Sequence, residues 1–207
     1  MRRRLFSACL VSLPFAAAAP LAAAADLPSR AAGFIEARGA EVIAVINGPG
    51  TLEEKRERVA AILREAVDVR GVAQFVLGRH WRTATAPQRD AYLALFEELL
   101  VRTLSSRFGE LNGASFTVSR AQMVSEDEAV VSTVVTRPNT PAVTLDWRVA
   151  DIGGKPKIVD LVAEGTSLRI TQRSEYSAVV QRSGGVDGLL NAMRQQLAQL
   201  EQQALPR

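Results

Sequence analysis

The only histidine of the 207-residue chain, His80, lies beside Trp81 and shortly before a long apolar helix pattern. A histidine there could act as a general base, with Asp90 or Asp160 as the acid that orients its ring. The nucleophile is missing from this scheme, because the chain contains no Gly-x-Ser-x-Gly segment. We therefore predict that His80 packs at the loop entrance to the helix. An enzyme that uses His80 remains the alternative.

The acidic residues do not suggest a second kind of active site. Pairs such as Glu53-Glu54, Glu97-Glu98 and Asp127-Glu128 are adjacent in sequence, so their carboxylates point in different directions and are expected in solvent. A zinc site would need three carboxylates around the single histidine, since the only cysteine is Cys9. We expect neither a metal nor a cofactor.

The first 25 residues are typical of an export signal. Three arginines at positions 2–4 precede an apolar run, Leu5–Ala19, and small residues follow at 23–25. The apolar run is too short to span a bilayer as a helix, which requires about 20 residues. The sequence predicts a signal peptide at 1–25, a single domain at 26–207, a periplasmic location and no permanent membrane anchor.

The charge of the chain excludes one class of partner. The full sequence has 25 Lys and Arg against 22 Asp and Glu, but three of the arginines belong to the predicted signal peptide. The predicted mature chain is therefore balanced, with 22 residues of each sign. Nucleic-acid-binding proteins normally carry a basic excess, so no nucleic-acid partner is expected.

Helix patterns occupy both ends of the predicted domain. Two capping boxes, Thr51 with Glu54 and Thr85 with Gln88, each mark the start of an amphipathic helix. The apolar residues that follow recur at steps of three and four. Helices are predicted at 34–46, 52–66, 69–77, 86–108, 171–182 and 187–204.

The middle of the chain has the two-residue period of β-strands. Phe116, Val118 and Arg120 alternate with polar residues, and β-branched residues fill 129–136. The clearest strand has one apolar face, which consists of Val143, Leu145, Trp147 and Val149. A Gly153-Gly154 turn leads into a fourth strand at 157–163. Four strands with short connections predict an antiparallel meander, and the whole pattern predicts an α+β fold. These apolar faces fit either a filled core or a cavity.

Two long segments of the chain resemble a known family, the periplasmic toluene-tolerance or Mla-type lipid carriers. The first is Phe75–Phe108, FVLGRHWRTATAPQRDAYLALFEELLVRTLSSRF, and the second is Val159–Leu190, VDLVAEGTSLRITQRSEYSAVVQRSGGVDGLL. The similarity extends over nearly the whole predicted domain. His80 stands where the family commonly has an aromatic residue, and Thr166 replaces an aliphatic one.

The resemblance implies a soluble carrier, not an enzyme. Such a carrier shields the acyl chains of a phospholipid and shuttles it between an outer-membrane lipid complex and an inner-membrane ABC-type transporter complex. The implied fold is a curved antiparallel sheet of about four strands wrapped by several helices, with an apolar cavity between them. A hopanoid or another isoprenoid lipid is an alternative cargo. A scaffold for membrane complexes, with fully packed apolar faces, is an alternative function.

The candidate lipid-binding residues are apolar and lie on the inward stripes of the helices, on the apolar sheet face and in the turn that follows it. They are Phe75, Trp81, Phe96, Leu99, Leu100, Leu104, Val143, Leu145, Trp147, Leu161, Leu168 and Tyr176.

Overall fold

The computed structural model describes residues 26–138 and 140–204, so the predicted signal peptide lies outside the described residues. Within these ranges the chain forms seven helices and five strands. The helices are α1 (Leu27–Asn47), α2 (Leu52–Ala66), α3 (Val69–Leu77), α4 (Arg79–Thr83), α5 (Ala86–Ser105), α6 (Leu168–Arg182) and α7 (Val186–Ala204). The strands are β1 (Ser115–Met123), β2 (Glu128–Arg137), β3 (Thr140–Ile152), β4 (Lys155–Ala163) and β5 (Thr166–Ser167).

Side-chain caps define where the helices begin. The hydroxyl of Thr51 accepts a hydrogen bond from the Glu54 amide, and the Glu54 carboxylate accepts one from the Thr51 amide at 2.7 Å. This second bond lowers the pKa of Glu54. Thr85 and Gln88 form the same reciprocal pair at the start of α5. Both predicted capping boxes are confirmed, because each satisfies two amides that a helix start otherwise leaves without partners.

The strands form one antiparallel meander in the order β1-β2-β3-β4-β5. The predicted α+β fold with four main strands is therefore confirmed, and β5 adds a short fifth strand beside the end of β4. Gly153 and Gly154 connect β3 to β4 with φ values of +62° and +80°. Glycine adopts such values readily, so the two residues allow a tight turn between the paired residues Ile152 and Lys155.

A bulge in β1 changes which side chains continue its inner face. Phe116 and Val118 pair with Val135 and Thr133, but the register shifts between Val118 and Arg120. After the shift Ala121 packs against the core, whereas Arg120 is exposed. The predicted strand is present, but the predicted alternation through Arg120 is wrong because the bulge inserts one residue.

The buried apolar side chains within the described ranges fall into three clusters. The helical cluster joins α3, α5, α6 and α7 and includes Tyr92, Leu99, Tyr176 and Met193. The sheet cluster joins α1 to β2 and β3 through Leu27, Ala31, Ile35, Ala129, Val131 and Val149. The α2 cluster contains Ile46, Val59 and Phe108. A domain of this size usually has one contiguous core, so this division indicates that the layers are not packed together throughout.

Helix α1 crosses the inner face of the sheet diagonally. Near its start, Arg30 forms an ion pair with Asp151 at 2.8 Å and donates to the Gly154 carbonyl at 2.6 Å, close to the β3–β4 turn. Farther along, Gly39 lies against Phe116 of β1, where a β-carbon would be only 2.1 Å from the ring. The helix therefore runs from the β3–β4 turn to β1, and the start of β3 and the end of β4 lie outside its path.

Candidate functional site

The part of the inner sheet face that lies outside the path of α1 is apolar. Along β3, Val149 is fully buried beneath α1, whereas Trp147, Leu145 and Val143 on the same face are only half-buried. Leu145 pairs with Ala163, and Trp147 pairs with Leu161, so the half-buried face continues onto β4. We call Val143, Leu145, Leu161 and Ala163 the β3–β4 corner. None of the four belongs to the three buried clusters.

A polar contact fixes the edge of this corner. Trp147 belongs to the rim of the sheet cluster, and its indole Nε1 donates to Thr133 Oγ1 at 2.9 Å. Thr133 is completely buried and donates in turn to the Leu145 carbonyl at 3.3 Å. The indole is thereby held between the part of the sheet that α1 covers and the part that it leaves open.

The apolar residues on the inward side of α5 do not all have the same neighbours. Leu99 is buried in the helical cluster, and Leu104 packs against the α2 cluster. Leu100 is half-buried and belongs to none of the three clusters. Among the predicted lipid-binding residues, Leu100, Val143, Leu145 and Leu161 thus share the property expected of a cavity wall. They are apolar and half-buried, and they belong to none of the three buried clusters.

Three other predicted residues, Phe96, Leu99 and Tyr176, lie inside the helical cluster. The Phe96 and Tyr176 rings meet edge to face with centroids 6.5 Å apart, and Tyr92 lies 6.2 Å from Tyr176. The Tyr92 hydroxyl donates to the Ala73 carbonyl at 3.0 Å. Burial raises the pKa of Tyr176 to about 12. These side chains therefore have protein neighbours on several sides.

Phe75, Trp81 and Leu168 lie at the surface of the helical bundle. Phe75 and Trp81 are half-buried against the helical cluster, while Leu168 at the start of α6 is 47% exposed. The guanidinium of Arg169 lies 4.7 Å from the Phe75 ring centroid, and that of Arg173 lies 5.0 Å away. A groove of about 580 Å³ opens here, between Phe75 and the outer side of α6.

Asp160 attaches the start of α6 to the sheet, a role that the sequence analysis did not identify. Its buried carboxylate accepts hydrogen bonds from the Ser167 hydroxyl at 2.6 Å and from the Arg169 amide at 3.1 Å. The Arg169 Nε lies 3.3 Å from the same carboxylate. Asp160 was one of two predicted partners of His80, and this geometry gives the carboxylate a different role. Its position after apolar Val159 in β4 is the only signal of burial that the sequence carries.

His80 lies in the short helix α4, and not in an entrance loop as predicted. Helix α4 was not predicted because it has only five residues and no side-chain cap. The His80 ring nitrogen Nε2 is 3.5 Å from Arg79 Nε. Within residues 26–138 and 140–204, no hydrogen bond connects the imidazole to a carboxylate or a hydroxyl. The same part of the chain has no group of three His, Cys, Asp or Glu residues that could hold a metal ion.

None of the described helices combines the length and the apolar character needed to cross a membrane.

Comparisons with known proteins agree with this architecture. A solved structure of a phospholipid-binding protein from Ralstonia solanacearum, in complex with a phospholipid, superimposes with a TM-score of 0.76 at 25% sequence identity. The match covers 86% of this chain and 99% of the other. The toluene tolerance protein ttg2D of Pseudomonas putida is 23% identical over 145 residues, which is 69% of this chain and 67% of the relative.

The description of the MlaC protein family matches residues 38–195. This range includes both segments on which the sequence resemblance was based, and the resemblance is confirmed. The chain belongs to the MlaC family.

Proposed function

We propose that this protein is a periplasmic carrier that holds the acyl chains of a phospholipid between the β3–β4 corner and the helices. The observation that carries the proposal is the apolar inner face of the corner, which is only half-buried and belongs to none of the buried clusters. The phospholipid in the related Ralstonia solanacearum structure supports the same cargo. Leu100 is the residue of α5 that we assign to the opposite wall.

The energetics of lipid transfer explain why such a carrier is useful. Each methylene group moved from water into an apolar site gains about 0.8 kcal/mol, so two acyl chains with ~30 methylenes would cost on the order of 20 kcal/mol to expose. A lipid does not cross an aqueous compartment freely against such a barrier. An apolar cavity removes it without any acid, base or metal, so we infer that the protein acts as a carrier and not as an enzyme.

The route of transfer follows from the predicted signal peptide and the family. We propose that the mature protein moves lipid through the periplasm between an outer-membrane lipid complex and an inner-membrane transporter complex. N-terminal sequencing of the exported protein should give a chain that starts at Asp26. A chain that retains residues 1–25 would contradict the predicted processing.

The experiment that tests the cargo is lipid extraction and mass spectrometry of protein purified gently from the periplasm. We expect a diacyl phospholipid in near-stoichiometric amount. A phosphorus-free isoprenoid lipid would replace the phospholipid proposal with a hopanoid-type carrier. Protein that contains no lipid, and that takes up none from vesicles after delipidation, would support a scaffold role instead. His80→Ala is expected to retain its lipid, because the imidazole lies outside the proposed cavity.

A further inference from the structure

A mixed basic and apolar surface lies on the bundle side of the molecule. It consists of α4, the first two turns of α6 and Phe75, and we call it the α4–α6 face. Leu168 and Ile170 on this face are 47% and 56% exposed. Both are aliphatic, and they flank Arg169 in sequence. Exposed aliphatic side chains beside arginines are typical of surfaces that enter the headgroup region of a bilayer.

The charge on this side of the protein is not balanced. Residues 68–90 and 168–182 together hold seven arginines and three carboxylates, although the predicted mature chain is neutral. Of the seven arginines, only Arg169 forms an ion pair with a carboxylate among the described residues. The three acids are Asp68, which caps α3, Asp90 and Glu175, which accepts a hydrogen bond from Gln172. These two ranges therefore hold four more arginines than carboxylates, and six of the seven arginines form no ion pair with a carboxylate among the described residues.

The parts of the α4–α6 face are held next to one another. Arg173 stacks on Phe75, and a β-carbon on Gly78 would lie 3.1 Å from Arg173 Nε. Gly78 immediately precedes Arg79, so the start of α4 lies next to the Arg173 side chain. Ile170, Arg173 and Phe75 also line the same surface groove. Cationic and aliphatic side chains are thus interspersed on one continuous patch.

We propose that the α4–α6 face docks the protein onto an anionic lipid surface. Guanidinium groups match the geometry of phosphate oxygens, and arginines near an anionic membrane are attracted to it over about a Debye length. The exposed aliphatic side chains would enter the layer beneath the phosphates. An acidic protein surface would satisfy the arginines but would offer no apolar layer for Ile170. This inference does not depend on the identity of the carried lipid.

The test is co-sedimentation of the purified mature protein with vesicles, either of phosphatidylcholine alone or with 30% phosphatidylglycerol. We expect binding only to the anionic vesicles and its loss in 0.5 M salt, where charges are screened. Arg79→Ala combined with Arg82→Ala should weaken binding about 25-fold, because each arginine contributes roughly five-fold near an anionic surface. Ile170→Ser should weaken it roughly five- to tenfold by removing apolar contact.

Matched controls separate docking from general effects of charge and hydrophobicity. Arg120→Ala combined with Arg194→Ala removes two exposed arginines that have no described ion pair and lie on β1 and α7. Ile152→Ser removes a 44% exposed isoleucine at the end of β3. Both controls should bind like the unchanged protein. Equal binding by the Arg79/Arg82 variant and the Arg120/Arg194 control would overturn the proposal. So would a failure of the unchanged protein to bind anionic vesicles at low salt, which would favour an acidic protein partner.

Different experimental outcomes would contradict the docking proposal and the carrier proposal. The Arg79/Arg82 variant should retain its co-purified lipid and lose vesicle binding. A variant that blocks the β3–β4 corner should lose lipid and retain vesicle binding. Loss of both properties in either variant, with the fold intact by circular dichroism, would contradict a docking surface that is separate from the cavity.

Discussion

The indole nitrogen of Trp147 donates a 2.9 Å hydrogen bond to the hydroxyl of Thr133 on the neighbouring strand. This bond lies where the sheet passes from the region beneath α1 to the open β3–β4 corner. Thr133 is completely buried, so water does not replace it as a partner. The position of the indole, which borders the proposed cavity, therefore depends on one hydroxyl group.

Thr133→Val should lower the free energy of unfolding by about 1–3 kcal/mol, because it keeps the shape of the side chain but leaves a partly buried indole N–H without its acceptor. Urea unfolding measures the loss, and tryptophan fluorescence should change as well. Thr144→Val is the matched control, since Thr144 is exposed on the outer face of β3. Thr144→Val should change the free energy of unfolding by less than about 0.5 kcal/mol. Equal effects at both positions would show that the hydrogen bond is unimportant.

Leu145→Trp should reduce co-purified phospholipid several-fold while the protein stays folded. The larger side chain would extend from the β3–β4 corner into the space proposed for acyl chains. Lipid phosphorus per protein measures the effect, and thermal unfolding checks the fold. Thr144→Trp places the same ring on the opposite face of the strand and should leave the lipid content unchanged. Normal lipid content in Leu145→Trp would exclude the corner as the binding surface.

The neighbours Leu99 and Leu100 should respond differently to truncation. Leu99→Ala creates a cavity in the helical cluster and should lower the free energy of unfolding by about 2–5 kcal/mol. Leu100 is only half-buried and outside the clusters, so Leu100→Ala should cost less than about 1.5 kcal/mol and should mainly weaken lipid retention. Urea unfolding of lipid-free protein, together with lipid assays, compares the two. A larger stability loss for Leu100→Ala would place that residue in the core.

High pH should destabilise the helical cluster. Burial raises the pKa of Tyr176 from 10.0 to about 12, and it raises the pKa of Tyr92 as well. Because the unfolded chain releases these protons near pH 10 and the folded chain retains them, stability present below pH 10 is lost as the pH rises towards 12. Each tyrosine contributes up to about 1.4 kcal/mol per pH unit over that range. The free energy of unfolding, measured between pH 9 and pH 11, should decline less steeply for Tyr176→Phe than for the unchanged protein. An identical decline would contradict the raised pKa of Tyr176.

The elements with strong local signals could be predicted from sequence. Both capping boxes specify helix starts through contacts between residues three apart, so Thr51 and Thr85 mark α2 and α5 without knowledge of the rest of the chain. The alternation in β3 identifies the strand and its apolar face for a similar reason. Helix α4 and the bulge after Val118 escaped prediction because they depend on neighbouring elements.

The candidate site was predictable only in part. A helix stripe shows that a residue faces inward, but not which partner it faces. Leu99 and Leu100 therefore look alike in the sequence, although only Leu99 is enclosed by protein. The sequence does not indicate the contact between Arg173 and Phe75 either, because it results from the packing of α6 on α3. The twelve lipid-binding assignments remain predictions. The most direct ones to test are the four half-buried residues outside the buried clusters, Leu100, Val143, Leu145 and Leu161.

The division of the interior into three separately packed groups affects how cargo could be loaded. Each group packs largely through its own apolar side chains, while buried Asp160 attaches the start of α6 to the sheet, so we expect any separation of the sheet from the helical bundle to occur away from that attachment. A guest molecule that enters between them would displace water and leave the protein's own contacts intact. The empty protein would then stay folded after delivery, ready to receive the next molecule.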